Sequence, residues 1–416
     1  MQRLSLRGAS EKMVERLFLI MTICLIAPLY FEDIRQIFVL VFFLMLGYLA
    51  FNLKYAKGQV SKTEKTWIEV MVAYALVLIL SFSLRGNYSD DGSWRLEAPL
   101  LMLVFSAWYY FAIRFGVEKK ILIFAALSSI LAAVILFSYE VWSIGQLQLF
   151  QFGSIHRDIG ATGFFLPITF TLLCILIWGN RTVILGLLII IALLFTGLTT
   201  TRTAFVITVF PLFMLIIYLF RASIFTFNIK AMLFVITISS FAIAGYFSQG
   251  KLTATVSNYQ SMEKGEFYTS MGLRVAMLDM GGALLAKNWI IGVGPSDYKK
   301  ELREEVKLHD YSQRIKNSTV SFMHIHNQYL MDWLLHGLAG IIALGFILLF
   351  PLKVFYQKHK LEPHSGAFFA VGLCLGIIVV MFFGALFTYT YTTIMYVLAI
   401  SALISYFEPD KGKTSC

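Results

Sequence analysis

The residues best suited to chemistry lie in one short segment towards the C-terminal end of the chain, residues 322–328, which holds His324, His326 and Asn327. A histidine can act as a base at neutral pH because its unperturbed pKa is near 6.5. The adjacent Asn327 could hydrogen-bond a sugar hydroxyl or orient the imidazole ring. The alternative is that both histidines make only structural hydrogen bonds in a loop.

Two glycines follow this histidine pair at fixed spacing. His326-Asn327 is followed by nine residues, then Gly337, two residues and Gly340. Glycines at this spacing would let a helix approach a neighbouring helix closely. The pattern therefore predicts a histidine held at the start of a closely packed helix.

Three arginines are candidates for binding an anion. Arg202 follows a run of threonines at the boundary of an apolar segment, and its guanidinium group would match a phosphate in a bidentate fork. Arg274, in Gly272-Leu273-Arg274, is predicted near a helix N-terminus, which favours anions. Arg157 is a weaker candidate, since Asp158 could simply pair with it. Taken singly, Arg202 is better explained as a snorkelling or helix-capping charge, and Arg274 as a solvated charge on an amphipathic helix.

The composition identifies the environment of these residues as a membrane. The chain is 58% hydrophobic and only 14% charged, whereas a soluble domain is about 25% charged. The net charge of +10 could suggest nucleic acid, but the basic residues form no groove or stripe. Three of the four cysteines lie in apolar runs and the fourth is terminal, so we expect no disulfide, metal cluster or thiol nucleophile.

About twelve apolar runs are each long enough to cross a bilayer. Lysine and arginine concentrate on one side of them, which predicts that both termini are cytoplasmic. The predicted organisation is spans one to nine in residues 1–248, a large external loop in residues 249–328, and spans ten to twelve with a short tail in residues 329–416. The tenth span is predicted at residues 329–350.

The external loop has the sequence of a folded, partly helical segment. Leu273, Met277 and Leu284 could form the apolar face of a helix lying on the membrane, the first of the loop. After the turn Gly292-Val293-Gly294-Pro295, residues 296–307 predict a second helix with a charged surface.

These features together resemble the O-antigen ligase family, within the group that includes O-antigen polymerases and bacterial O-oligosaccharyltransferases. The resemblance covers essentially the whole chain and rests on the His326-Asn327…Gly337…Gly340 spacing and on Arg202 and Arg274, which fall where the family places its functional arginines. It implies an all-α, GT-C-like polytopic protein of the bacterial inner membrane, with its active site on the periplasmic side.

The resemblance also implies a reaction, the transfer of a glycan from undecaprenyl pyrophosphate to a sugar hydroxyl of the lipid A–core. His326 would be the catalytic residue, and Arg202 and Arg274 would bind the pyrophosphate. His324, Asn327 and Arg157 are further substrate-binding candidates. No cofactor or metal would be needed, since the energy lies in the donor, and the other partners would be membrane lipids rather than nucleic acid.

Two alternatives remain open. An O-antigen polymerase would use the same donor with another lipid-linked glycan as acceptor. A transporter of lipid-linked glycans would instead carry polar residues near the membrane midplane in an internal repeat, which the sequence does not show.

Overall fold

The computed structural model describes residues 35–53, 56, 58–84, 94–117, 123, 168, 170–176, 202–221, 249–322 and 324–408, together with a few single positions and pairs elsewhere. Within these ranges the chain is helical, with no strand. In chain order the α-helices are α1 (Arg35–Phe51), α2 (Lys62–Leu84), α3 (Glu97–Arg114), α4 (Arg202–Arg221), α5 (Gln249–Glu263), α6 (Ser270–Asn288), α7 (Tyr298–Leu308), α8 (Gln313–Ser321), α9 (Gln328–Leu361), α10 (Ala367–Val380) and α11 (Thr390–Phe407). Two 3-10 turns, Trp94–Leu96 and Leu386–Thr388, precede α3 and α11.

The length and apolarity of these helices fit a membrane protein. Helices α2 and α9 are long and apolar enough to cross a bilayer, and shorter apolar stretches occupy Leu40–Phe51, Val206–Tyr218, Ala367–Val380 and Thr392–Phe407. The all-helical architecture agrees with the sequence. The number of twelve spans stays a prediction, because several of the apolar runs lie outside the described residues.

The packing of α2 shows how polar groups are accommodated in this apolar core. A capping box begins the helix, since the Ser61 amide donates to Glu64 Oε2 at 2.8 Å and the Glu64 amide donates to Ser61 Oγ at 3.0 Å. One turn further on, the buried Trp67 donates its indole N–H to Ser401 Oγ at 2.8 Å. Helix α2 is thereby fixed against α11. The positions along α2 that other helices contact show in which direction those helices run.

Helix α9 is not one straight span. Gly337 interrupts it with φ 65° and ψ −157°, and the chain reverses there. Before the break, Asp332 accepts a hydrogen bond from Tyr74 at 2.7 Å, and His336 bonds Ser81, further along α2. After the break, Phe350 stacks on Trp67, near the start of α2, with ring centroids 6.3 Å apart. Residues 328–336, the first arm, therefore run parallel to α2, and residues 338–361, the second arm, run back along it.

The close approach of the two arms confirms the reversal. A Cβ on Gly340 would lie 2.6 Å from the carbonyl oxygen of Asp332, although residues eight apart in a straight α-helix are separated by about 12 Å. The sequence predicted that Gly337 and Gly340 would admit a neighbouring helix. In the structure Gly337 makes the turn and Gly340 admits the first arm of its own helix.

The external loop completes the broken backbone of α9. The amides of Val293 and Gly294 donate to the carbonyls of Leu334 and Leu335 at 2.8 and 3.1 Å, and the Leu338 amide donates to the carbonyl of Ile290 at 2.9 Å. Groups that a helix break leaves without an intrahelical partner are costly when they are buried. Residues 290–294 supply these partners.

The loop is a small packed unit of four helices, α5 to α8, rather than the two helices predicted. Helix α5 precedes the helix of Arg274, and α8 follows the predicted charged helix, observed as α7. Met277 and Leu284 of α6 are buried with Tyr298 of α7 and with Leu334 and Leu335 of α9. The apolar face of α6 therefore packs against the loop and α9 instead of lying freely on the membrane.

Replacement of Gly337 by alanine should destabilise the protein. Its backbone lies in a region that only glycine adopts readily, at a cost of about 1–3 kcal/mol for other residues, and a Cβ would collide with the carbonyl of Ile290. We expect Gly337→Ala to lose at least about 2 kcal/mol, measured as a lower Tm of the purified protein in detergent.

Gly345 is the matched control, because it lies in the same helix and a Cβ there meets nothing within 4 Å. Gly345→Ala should leave the Tm unchanged or raise it slightly. Equal Tm values for the two variants would contradict the role assigned to Gly337.

Candidate active site

His326 and Asn327 stand at the start of α9, where the chain leaves the loop and enters the first arm. Asn327 is the N-cap of this helix, and its Oδ1 accepts a hydrogen bond from the Leu330 amide at 2.9 Å. Its Nδ2 donates to the carbonyl of Phe382 at 3.3 Å. Both polar atoms of the Asn327 side chain are thus hydrogen-bonded to backbone groups. This favours a positioning role for Asn327 over contact with a sugar hydroxyl.

The two histidines lie against each other in a mostly buried pocket. Their ring centroids are 4.6 Å apart at 83°, an edge-to-face arrangement. His324 is buried and its Nε2 hydrogen-bonds the Tyr389 hydroxyl at 2.8 Å. His326 remains partly exposed and packs on Phe322, with centroids 5.4 Å apart. His324 therefore supports its neighbour, and His326 is the ring with access to a substrate.

Both imidazoles are neutral at physiological pH. Burial is the main cause that lowers the pKa of His324 to about 4, and the positive charges of Arg95 and Arg274 act in the same direction. Burial likewise lowers the pKa of His326 to about 3, with further contributions from His324 and Arg274. A neutral imidazole can accept a hydrogen bond from a hydroxyl, whereas an imidazolium cannot.

Arg274 is brought to the histidines by helix α6. Thr269 caps this helix by accepting the Gly272 amide at 3.0 Å, and Arg274 follows directly after the first turn. Further along α6, Gly281 lies so close to Ile325 that a Cβ would collide with that side chain. The lack of a side chain at Gly281 thus lets α6 pack directly on the residue between the two histidines.

The backbone of Arg202 lies at the same level of the molecule as Asn327 and the histidine pair. Helices α4 and α10 pack in opposite directions, because a Cβ on Gly372 would lie 2.5 Å from Pro211 Cα and one on Gly376 would lie 2.9 Å from Ile207 Cα. Arg202 lies as many residues before Ile207 as Met381 lies after Gly376. The antiparallel pairing therefore sets Arg202 opposite Met381. The carbonyl of Met381 accepts the amide of Gln328 at 2.8 Å, next to Asn327.

The remaining predicted residue, Arg157, lies outside the described residues. For Arg202 the described geometry is that of the backbone, which begins α4. The structure thus brings together His324, His326, Asn327 and Arg274, and sets the start of α4 at their level.

Arg95 is a site neighbour that the sequence did not single out. It lies in the turn before α3, with its guanidinium carbon 4.9 Å from the centre of the Tyr298 ring. Two residues later, Glu97 accepts a hydrogen bond from Thr390 at 3.2 Å, beside Tyr389. Burial lowers the pKa of Arg95 to about 10, so it stays a cation at neutral pH. A lone arginine in a short connection carries no sequence signal that would have distinguished it.

The first arm of α9 also carries polar residues that hold it in place. Gln328 donates to Asp332 Oδ1 at 2.6 Å and accepts the amide of Phe387 at 2.7 Å. The hydroxyl of Tyr74 also donates to Asp332. These hydrogen bonds join α2, the first arm of α9 and the 3-10 turn before α11 at the base of the histidine pocket.

Fold and site thus define a class: a helical membrane protein with two neutral histidines and an arginine where the helical segment 249–328 meets a broken helix. The model of the O-antigen ligase family matches residues 166–345, a stretch that contains Arg202, Arg274, His326 and the two glycines. This match confirms the resemblance to the O-antigen ligase family and indicates O-antigen ligase or related polymerase activity in the bacterial inner membrane.

A curated relative extends the similarity beyond the matched stretch. An uncharacterised protein of Haemophilus influenzae is 24% identical over 370 residues, which cover 85% of this chain and 89% of the relative. The two chains are therefore similar over nearly their whole lengths.

The low pKa values of the histidines can be measured directly. In protein labelled with isotopic histidine, the NMR signals of His324 and His326 should not titrate between pH 5.5 and 7.5, and His324→Gln would assign one of them. Because the unfolded chain titrates near 6.5, it binds more protons than the folded protein below that pH, so stability should fall as the pH drops from about 6.5 towards 4. A titration midpoint near pH 6.5 for both signals would show that water fills the pocket and that both rings are exposed.

Proposed function

We propose that this protein is an O-antigen ligase that transfers a glycan from undecaprenyl pyrophosphate to a sugar hydroxyl of the lipid A–core on the periplasmic face. The observation that carries the proposal is the meeting of neutral His326 with the cationic Arg274 beside the membrane helices. Transfer from a lipid pyrophosphate needs both groups, one for the hydroxyl and one for the leaving group.

The arginines would stabilise the leaving group. As the bond between the anomeric carbon and the pyrophosphate oxygen breaks, its electron pair and the developing negative charge pass to the pyrophosphate. Fixed guanidinium groups in a site with little water stabilise this charge strongly. Arg274 would take this part together with Arg202, and Arg157 stays an additional candidate for contact with the donor.

His326 would act on the acceptor. Its neutral imidazole would accept the hydrogen bond of the acceptor hydroxyl and orient that oxygen towards the anomeric carbon. The proton would pass to the imidazole as the new glycosidic bond forms, and then to solvent. A pKa of about 3 makes the ring a weak base, so proton transfer would come late in the step and orientation would be the larger contribution. One direct displacement inverts the anomeric carbon.

The polymerase remains the second candidate because it shares this donor chemistry. Its acceptor would be a second lipid-linked glycan, and the groups described above would serve either reaction. A transporter of lipid-linked glycans would need no group that accepts a hydroxyl proton, so the histidine pair favours transfer.

Variants of the two central residues test the chemistry. In a ligation assay with reconstituted protein, His326→Ala should lower the rate by about 10²–10⁴-fold, and Arg274→Ala by about 10²–10³-fold. Arg274→Lys should also be impaired, since an ammonium group cannot form the bidentate contact. Arg303→Ala is the control, because Arg303 is exposed on α7. Normal ligation by either alanine variant in correctly inserted protein would remove the mechanism.

Deletion of the gene separates the candidate functions. A strain without a ligase should accumulate polymerised glycan on the carrier lipid and make lipopolysaccharide without it, whereas loss of a polymerase leaves cores that carry a single repeat. Both pools should be examined in one strain, with the plasmid-borne gene and its His326→Ala variant as complementation controls. Purified protein that moved lipid across liposomes without forming a glycosidic bond would favour the transporter.

A further inference from the structure

Three consecutive apolar residues of the external loop are exposed next to the bend of α9. Trp289, Ile290 and Ile291 are 49%, 57% and 62% exposed, and they belong to a loop predicted to face the periplasm. Exposed apolar side chains that adjoin one another need a partner. The position of these three residues in the fold indicates which partner covers them.

The segment continues a stripe on the second arm of α9. Leu338, Ile342, Phe346 and Leu349 are 39%, 51%, 62% and 57% exposed, and their spacing of three or four residues sets them on one face of the helix. In a membrane helix such a face meets lipid. The amide of Leu338, at the top of the stripe, donates to the carbonyl of Ile290, so segment 289–291 lies directly above it.

The length of the helix fixes the level of the segment in the bilayer. At about 1.5 Å per residue, the second arm covers roughly 22 Å from Leu338 to Lys353 and about 30 Å to Lys358. The charge pattern predicts that these lysines lie at the cytoplasmic boundary, and the hydrocarbon core is about 30 Å thick. Leu338 and segment 289–291 are therefore at the outer boundary of that core, the level that tryptophan favours.

The backbone of the segment is suited to an apolar environment. Irregular backbone at membrane depth is tolerated only when its polar groups are paired within the protein. The carbonyl of Trp289 accepts the indole N–H of Trp333 at 2.8 Å, and the carbonyl of Ile290 accepts the Leu338 amide. No charged residue occurs between Asn288 and Ser296.

We propose that segment 289–291 is immersed in the outer leaflet and that its partner is the hydrocarbon of bilayer lipids. The segment would anchor the loop in the membrane at the point where the loop completes the broken helix. This inference holds whether or not the chain transfers glycans.

Fluorescence in vesicles tests the immersion. Ile290→Cys and Ile291→Cys would be made in a full-length chain whose four cysteines are replaced by serine, labelled with an environment-sensitive dye and reconstituted with dibrominated phosphatidylcholine. Lys300→Cys is the matched control, because Lys300 is exposed on α7 of the same loop. We expect blue-shifted emission and at least about twofold quenching at positions 290 and 291, with neither effect at position 300.

Other outcomes would overturn the proposal. Water-like emission at positions 290 and 291 would show that the segment faces the periplasm. Blue-shifted emission without quenching by brominated lipid would show that protein, such as a second copy of the chain, covers it.

A second measurement avoids the cysteine replacements. In the otherwise unchanged chain, Trp289→Phe should lower the share of tryptophan fluorescence that brominated lipid quenches, with an unchanged circular dichroism spectrum. An unchanged share would contradict immersion.

Discussion

The backbone pairing between the external loop and the bend of α9 is the constraint on which the site depends. Without the amides of Val293 and Gly294, two carbonyls of the bend would be buried without partners, at a cost of about 1–3 kcal/mol each. The same pairing fixes the loop on the membrane helices. The loop and the first arm of α9 therefore hold each other in place, and the histidine pocket lies between them.

The reversal of α9 also explains how a histidine from the loop before it comes to be desolvated. The first arm extends about 13 Å from Gln328 to the bend, and the chain enters it at the end distant from the bend. His324 and His326 are thus set below the top of the hairpin, among Tyr389, Phe322 and the loop core. Burial and the nearby guanidinium groups both favour neutral rings. The arginines remain charged at any physiological pH, so the site combines neutral histidines with cationic guanidinium groups.

The sequence predicted the membrane class, the candidate histidine and the arginine on an amphipathic helix, because each depends on local composition or spacing. It did not predict the bend. An apolar run shows that a segment prefers lipid but carries no sign of its direction, so residues 329–350 were read as one span. The positive φ of Gly337 follows from a contact with Ile290, distant in sequence. Arg95 was missed for the same reason, since only the fold brings it to Tyr298 and the histidine pair.

The architecture also bears on why the glycines of the motif stand at their spacing. Gly337 makes the reversal, and Gly340, three residues later, lies where the second arm first passes Asp332. A side chain at Gly340 would separate the arms and draw Asp332 away from Tyr74 and Gln328. Since Gln328 also binds Phe387, that displacement would reach the N-cap Asn327 and so the ring of His326. The spacing of the motif is therefore a mechanical requirement of the hairpin: the glycines are far from the imidazole along the chain but determine where it lies.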